Sequence, residues 1–304
     1  MHNKKKFIVS SFYKFVHVTE PDTMKILLER KLTKYDVKGT FIIGSEGING
    51  SFSSIKKNVT KVCKIIESLI LTKLKFKLQE SDCHTFLRLK IKLKKEIVTM
   101  GKKNIDPKNN SGKRLDPESW EKLIERKDSI IIDTRNEYES DVGSFSSSIE
   151  TKTKNFRDFP KWIKQNKQKL KNKKIGMFCT GGIRCEKATN YLINLGYKNV
   201  YQLEGGIIEY LKETKNKKKM WHGECFVFDE RVTINEKLEK GSYHQCFACR
   251  SALTDEEKGS KYFKPGISCP KCHKQTSSKQ KARYQERQKQ ILISKQKGIK
   301  HLGG

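Results

Sequence analysis

The sequence predicts a multidomain chain in which an α+β domain precedes an α/β domain and a small Cys-rich segment follows. Three observations carry this prediction. Residues 1–100 alternate strand-like runs with helical patterns, residues 115–219 alternate unbroken apolar runs with helical patterns, and paired cysteines stand in residues 220–276. At 304 residues the chain is long enough for two or three packed domains.

Residues 1–100 show the pattern of a ferredoxin-like α+β domain. Apolar residues recur with a spacing near 3.6 over 23–31 and 56–71, which predicts two helices. Strand-like runs surround them: FIVSSFYKFV (7–16), VKGTFIIG (37–44), INGSFS (48–53) and the β-rich TFLRLKIKLKKEIVTMG (85–101). The resulting order β-α-β-β-α-β is typical of ferredoxin-like domains.

The stretch GSEGING, residues 44–50, falls between the two middle strands of that domain. We interpret it as their turn, in which glycine supplies a positive φ. A loop that contacts phosphate or RNA is the alternative interpretation.

Residues 101–114, GKKNIDPKNNSGKR, are polar and rich in turn formers, which predicts a linker. The α/β domain follows over residues 115–219. Its predicted strands are SIIIDTR (129–135), KIGMFC (174–179) and NVYQLEG (199–205), and its predicted helices are 117–126, 160–170, 184–195 and 206–215. Apolar strands without alternation, separated by helices, predict a central parallel sheet covered on both faces.

Charge and hydropathy restrict the functions that the chain can have. A formal net charge of +31 favours a polyanionic partner such as nucleic acid, although a lysine-rich composition produced by codon drift is the alternative. No apolar run approaches the roughly 18 residues of a membrane span, and the N-terminus lacks a signal-peptide pattern. We therefore expect a cytoplasmic protein with no membrane partner, whose nine cysteines are thiols, metal ligands or redox groups.

Cys179 stands at the carboxyl end of a predicted parallel strand, where open α/β sheets bind ligands. Glycines after it let backbone N–H groups turn inward, the following helix adds about half a positive charge, and Arg184 supplies a cation. Such a field favours a thiolate that acts as a nucleophile or sulfur carrier. A buried structural cysteine is the alternative. The predicted anion or persulfide cradle is Gly181, Gly182, Ile183 and Arg184.

Cys185 lies one helical turn beyond this field, on the face marked by Ala188, Leu192 and Leu195. We interpret it as a packing residue, and a resolving cysteine that forms a disulfide with Cys179 is the alternative. Cys63, Cys83 and Cys225 are also interpreted as packing residues.

The loop from Cys179 to Arg184 resembles the six-residue active-site loop of rhodanese domains, and Asp133-Thr134-Arg135 with Glu139 resembles their D-x-R-x-x-x-E segment. A wider set of motifs resembles the bacterial tRNA uridine hydroxylase family over essentially the whole chain: GSEGING, KKEIVTMG, NFRDFP, CTGGIRCEKA, YQLEGGI, FVFDERV and ISCPKCH. The chain departs from that family at residues 144–149, where Ser-Phe-Ser-Ser-Ser-Ile replaces the usual His-Phe-x-Gly-Ala-Ile.

The resemblance implies a rhodanese-like α/β domain and an oxidoreductase that converts the anticodon wobble uridine of tRNA to 5-hydroxyuridine. Cys179 would be its active-site cysteine, molecular oxygen its co-substrate and the tRNA anticodon loop its partner. No flavin, haem or nucleotide site is recognisable, and the sequence indicates no particular protein partner. Two alternatives stay open: a sulfurtransferase that carries a persulfide on Cys179, and an RNA-binding or zinc-ribbon adaptor without catalysis.

The Cys-rich segment carries two Cys-x-x-Cys pairs separated by 19 residues. Two such turns suit a structural Zn²⁺ site, because they bring four thiolates together without a large core. The predicted ligands are Cys246, Cys249, Cys269 and Cys272. His244 and His273 flank them as alternative ligands, and disulfides or free thiols are the alternatives to a metal.

Residues 277–304 form a basic, Gln-rich tail. We expect either a helix or arm that contacts RNA phosphates or a tail that only solubilises the chain. The predicted phosphate contacts are Lys279, Lys281, Arg283, Arg287, Lys289, Lys295 and Lys297.

Overall fold

The computed structural model of this protein describes residues 6–214 and 220–298. The predicted domain boundary within the lysine run 215–219 and the end of the predicted tail, 299–304, lie outside the described residues. Within the two described ranges, no helix combines the length and the apolar character that a lipid bilayer requires of a spanning segment.

The N-terminal domain is the predicted ferredoxin-like α+β fold. Its elements are β1 (Phe7–Phe15), α1 (Pro21–Leu32), β2 (Val37–Gly44), β3 (Gly47–Ile55), α2 (Lys56–Ile70), β4 (Lys77–Ser81) and β5 (Leu89–Leu93). The sheet order is β4-β1-β3-β2-β5, with β5 parallel to β2 and the other pairs antiparallel. Leu28 of α1 and Ile66 of α2 bury their side chains with Phe41 and Phe52 of the sheet.

The stretch 44–50 contains the predicted turn. Gly44 pairs with Gly47 across Ser45 and Glu46, and Gly47 has a φ of +146°, a conformation that favours glycine. Glu46 accepts a 2.7 Å hydrogen bond from the backbone N–H of Ile97. The turn is thus fastened to the chain that follows β5.

Strand β4 was not predicted from the sequence, because its buried side chains are polar. Lys77 and Gln79 alternate with exposed residues and are each 7% exposed. Gln79 accepts a 2.7 Å hydrogen bond from the Arg231 guanidinium, far along the chain. The inner face of β4 therefore contacts another part of the protein through polar side chains, so the strand shows no alternation of apolar and polar residues of the expected kind.

The α/β domain follows with a five-stranded sheet. Its elements are β6 (Lys113–Leu115), α3 (Pro117–Ile124), β7 (Ser129–Asp133), α4 (Glu137–Ser140), β8 (Gly143–Phe145), β9 (Ile149–Glu150), a 3-10 helix (Phe156–Asp158), α5 (Phe159–Gln165), α6 (Lys167–Leu170), β10 (Lys174–Phe178), α7 (Ile183–Asn194), β11 (Val200–Leu203) and α8 (Gly206–Glu213). The sheet order is β6-β11-β10-β7-β9, and every pair is parallel, as predicted.

Two predicted segments differ from the structure in detail. The helix expected over 160–170 is divided into α5 and α6 at Asn166, whose side-chain amide donates to the Trp162 carbonyl oxygen at 2.9 Å and competes with the helical pattern. The expected linker 101–114 also contributes its last two residues to β6. Just before β6 the segment packs on α7, where the Thr189 hydroxyl accepts from the Gly112 N–H at 2.9 Å.

The C-terminal segment contains short strands and two helices. They are β12 (Trp221–Gly223), β13 (Cys225–Phe226), β14 (Thr233–Ile234), β15 (His244–Gln245), β16 (Ala252–Leu253), α9 (Asp255–Gly259) and α10 (Ser278–Gln296). β12 pairs with β8, and Trp221 and Cys225 belong to the apolar core of the α/β domain. Cys225 is buried as predicted, whereas Cys83 is exposed and packs against no core.

Candidate active site

In the loop after β10, backbone carbonyl groups point away from the Cys179 sulfur atom, and backbone N–H groups point toward it. The carbonyl oxygens of Cys179 and Thr180 accept hydrogen bonds of 3.0 and 3.2 Å from the N–H groups of Ile207 and Ile208, in the first turn of α8. The N–H of Gly182 donates to the Cys179 sulfur at 3.1 Å. An anion on that sulfur is therefore stabilised by the backbone.

Glycine is required on both sides of this contact. Gly182 is the N-cap residue of α7 and has a φ of +97°. Gly206 has a φ of +70°, and a Cβ there would lie within 2.8 Å of the Thr180 carbonyl oxygen. A side chain at residue 206 would push α8 away and leave the loop carbonyls without their donors.

Cys179 is fully buried and nevertheless acidic. Burial by itself raises the pKa of its thiol. The hydrogen bond from the Cys185 thiol, the positive charge of Arg184 and the N–H groups of residues 184 and 185 outweigh burial and lower the pKa from 9.0 to about 5. Cys179 is accordingly a thiolate at neutral pH.

The structure corrects the prediction that Cys185 lies outside the field of Cys179. Cys185 is buried, as expected of a packing residue, but its thiol donates to the Cys179 sulfur and also lies 3.8 Å from the Thr134 hydroxyl. Burial and the neighbouring Cys179 raise the pKa of Cys185 well above its usual range. Cys185 therefore keeps its proton and stabilises the thiolate beside it, and the two cysteines form no disulfide with each other.

Arg184 is held by Glu139 through two hydrogen bonds of 2.7 Å, and both side chains are buried. Arg135 in turn donates to the Glu139 carbonyl oxygen at 3.0 Å and pairs with Asp133. The charged residues noted in the two sequence segments thus form one buried network. This network fixes the orientation of the Arg184 guanidinium, whose positive charge stabilises the Cys179 thiolate.

Two family models match this chain. Residues 116–213 match the rhodanese-like domain, and residues 7–97 match the UPF0176 acylphosphatase-like domain. The α/β domain is a rhodanese-like domain. Before it stands an acylphosphatase-like domain of the UPF0176 type.

Similar solved structures include the rhodanese-like domain of an Anabaena protein, with 17% identity over 36% of this chain and 78% of that chain, at a TM-score of 0.30. A single-domain sulfurtransferase from Saccharomyces cerevisiae is 17% identical over 36% of this chain and 98% of that chain, also at a TM-score of 0.30. An acylphosphatase from Coxiella burnetii is 7% identical over 30% of this chain and all of that chain, at a TM-score of 0.24.

Two residues of the N-terminal domain contact the rhodanese-like loop, and neither was predicted from the sequence. Lys77 donates a hydrogen bond to the Gly181 carbonyl oxygen. Burial lowers the pKa of Lys77 from 10.5 to about 8, although the negative charges of Cys179 and Glu209 oppose that shift. The Tyr13 hydroxyl donates to Glu186 of α7 at 3.1 Å and lies 3.0 Å from the Cβ position of Gly182.

A cleft of about 490 Å³ lies between the N-terminal domain and the rhodanese-like domain, next to this loop. Cys179 is not part of its lining, but Lys77, Glu186 and Gly205 connect the two. The cleft carries more positive than negative side chains. Its basic lining residues are Lys14, Lys75, Lys77, Lys108 and Arg114.

The four cysteines of the C-terminal segment converge as the spacing predicted. Their sulfur atoms, in Cys246, Cys249, Cys269 and Cys272, all lie within 4.8 Å of one another. The two alternative ligands are engaged elsewhere. His244 contacts Asp255 at 2.9 Å, and His273 contacts the Pro270 carbonyl oxygen at 2.9 Å.

The predicted basic tail forms helix α10 over 278–296. Most of its basic side chains are exposed, but Arg287 differs from the expectation of a phosphate contact. Its guanidinium donates to the carbonyl oxygens of Phe247 and Gly266 at 2.9 and 2.8 Å.

Proposed function

We propose that this chain is a tRNA-modifying enzyme in which the Cys179 thiolate acts on the anticodon wobble uridine and yields 5-hydroxyuridine, with molecular oxygen as co-substrate. One observation carries the proposal. A stabilised thiolate stands beside a basic cleft that the rhodanese-like and acylphosphatase-like domains form together. A protein that only carries sulfur requires only the Cys179 loop. Binding of a large anionic substrate would give a function to the acylphosphatase-like domain, which lines one side of the cleft.

The cleft supports binding of a polyanion. Lys14 and Lys75 of the N-terminal domain face Lys108 and Arg114 across it. Each phosphate that such residues neutralise releases condensed counterions, so affinity for tRNA should fall steeply with salt. A uridine splayed out of the anticodon loop would enter between the two domains, and Tyr13 and Lys77 would move aside to expose the buried sulfur.

The proposed chemistry begins with a new bond between the Cys179 sulfur and C6 of uracil. The C5=C6 double bond breaks, and C5 becomes nucleophilic toward molecular oxygen. One oxygen atom stays on C5 as a hydroxyl group. The other leaves as water and takes two electrons and two protons from a thiol reductant, which becomes a disulfide. Loss of the C5 proton and departure of the thiolate restore the double bond.

Nucleoside mass spectrometry tests the proposal. A strain that lacks 5-hydroxyuridine would express the wild-type chain, Cys179→Ser or the control Cys83→Ser, which changes an exposed cysteine outside the loop. We expect the nucleoside with wild type and control, with its hydroxyl oxygen labelled under ¹⁸O₂, and none with Cys179→Ser. Equal amounts from all three strains would reject the function.

A sulfurtransferase is the second candidate, and the Gly182 N–H contact to the Cys179 sulfur favours it. The same donors suit the terminal sulfur of a persulfide. In that reaction the thiosulfate S–S bond breaks, sulfite leaves, and the persulfide later passes its outer sulfur to cyanide as thiocyanate. Rapid thiosulfate-to-cyanide transfer without any change in tRNA nucleosides would select this candidate over hydroxylation.

A further inference from the structure

The C-terminal segment contains a cluster of four thiols that plays no part in the chemistry of Cys179. Its members come from two loops: Cys246 and Cys249 from the turn after β15, and Cys269 and Cys272 from the chain before α10. Three of the four cysteine side chains are buried, and they pack against the buried side chain of Leu253. Little else forms a core here, so a segment of this size requires another source of stability.

The spacing of the sulfur atoms fits a tetrahedral metal. Four Zn–S bonds of 2.3 Å place neighbouring sulfurs about 3.8 Å apart. The Cys249 and Cys269 sulfurs lie 3.7 Å apart, and so do the Cys269 and Cys272 sulfurs. The Cys269 N–H also donates to the Cys272 sulfur at 3.3 Å, which supports a thiolate there.

We propose that these four cysteines bind one Zn²⁺ as thiolates and that the metal holds helix α10 in place through Arg287. Four soft sulfur ligands in this geometry select zinc among the common divalent ions. Binding forms four Zn–S bonds and releases one proton from each thiol, and no electrons are transferred.

Arg287 joins the metal site to α10. One of its two carbonyl acceptors belongs to Phe247, between the first pair of cysteines, and the other belongs to Gly266, just before the second pair. A metal that draws the two loops together therefore also sets the distance between these acceptors. Without it, one guanidinium has to bridge two independent loops.

Helix α10 depends on this contact because it buries no residue of its own. Its N-terminus is closed locally by a capping box of Ser277 and Gln280, which stabilises the helix but does not orient it. Fixing α10 would also fix its exposed basic side chains, including Arg283 and Lys289, as one surface. The metal site thus has a role distinct from the thiolate chemistry of the rhodanese-like domain.

Metal analysis of the full-length protein tests the first half of the proposal. We expect about one equivalent of zinc in wild type and in the control Cys83→Ser, and loss of most of it in Cys269→Ser/Cys272→Ser. Replacement by Co²⁺ should give the visible bands of tetrahedral sulfur coordination. Purified wild type without zinc that also fails to take up Co²⁺, or a double variant with full zinc, would overturn it.

Hydrogen exchange tests the second half. Removing zinc from wild type should raise the exchange rate of residues 278–296 at least tenfold while the sheet of the rhodanese-like domain stays protected. Arg287→Ala should have the same effect on α10 and retain zinc, whereas Lys289→Ala should leave its exchange unchanged. An exchange rate of α10 that is indifferent to zinc and to Arg287→Ala would reject the coupling, whatever the metal content.

Discussion

Lys77 of strand β4 donates a hydrogen bond to the carbonyl oxygen of Gly181, two residues from Cys179. The acylphosphatase-like domain therefore supplies a buried cation to the loop of the rhodanese-like domain. The charges of the Lys77 ammonium and the Cys179 thiolate stabilise each other, since Cys179 is the leading influence that keeps Lys77 protonated. The candidate active site thus contains residues of both domains.

Replacing Lys77 by methionine should raise the pKa of Cys179. The substitution keeps the side-chain length but removes the positive charge, so the thiolate loses a stabilising partner. The measurement is the pH dependence of Cys179 alkylation by iodoacetamide, with trypsin cleavage after Arg184 to separate Cys179 from Cys185. The midpoint should move to higher pH, while Lys75→Met, a charge in the same cleft that pairs with Glu204, should leave it in place. Coincident curves for the two variants would exclude a role of Lys77 at the thiolate.

The Cys185 thiol should matter as a hydrogen-bond donor and not only as packing volume. In Cys185→Ala the Cys179 thiolate loses a donor, so its pKa should rise from about 5, and modification of tRNA at pH 6 should fall about twofold, because a loss of about 1.4 kcal/mol leaves the thiol about half ionised at that pH. Cys185→Ser keeps a donor and should lie closer to wild type. Nucleoside mass spectrometry after timed reactions measures both variants. Alanine and serine variants with equal rates would restore the interpretation of Cys185 as packing.

The low pKa of Cys179 predicts how stability depends on pH. A thiol whose pKa is lower in the folded state stabilises the fold fully above its unfolded value and loses that contribution as pH falls through its folded value. For Cys179 these values are 9.0 and about 5. The difference in free energy of unfolding between wild type and Cys179→Ser should therefore shrink from pH 9 toward pH 5. Urea unfolding at several pH values measures it, and a difference independent of pH would show that Cys179 is not a folded-state thiolate.

Ser147 stores backbone strain where the hydroxylase family usually has glycine. Its φ is +62°, in the left-handed region that a Cβ disfavours. Ser147→Gly should raise the free energy of unfolding by about 0.5 to 1 kcal/mol, because the relief of strain exceeds the added entropy of the unfolded chain. Ser146→Gly, one residue earlier, should instead destabilise the protein, because it removes a hydroxyl that contacts His222 and the Met220 carbonyl oxygen. Denaturant unfolding of both variants checks the sign.

Much of the fold could be predicted because its signals are local. The strand that ends at Phe178, the glycines after Cys179 and the helix that begins at Ile183 all lie within one stretch of sequence. Strand β4 could not be predicted in this way, because its inner residues Lys77 and Gln79 are polar and pack against another domain.

The sequence by itself determined the position of Cys179 at a strand end, its glycine cradle and the pairing of the C-terminal cysteines, since backbone geometry and short spacings encode these. Only the tertiary structure decided that Cys185 donates to Cys179, that Lys77 reaches the same loop and that Arg287 joins α10 to the cysteine cluster. Such contacts depend on the free energy of packing whole domains together, and no spacing along the chain encodes which polar groups meet when that packing is complete.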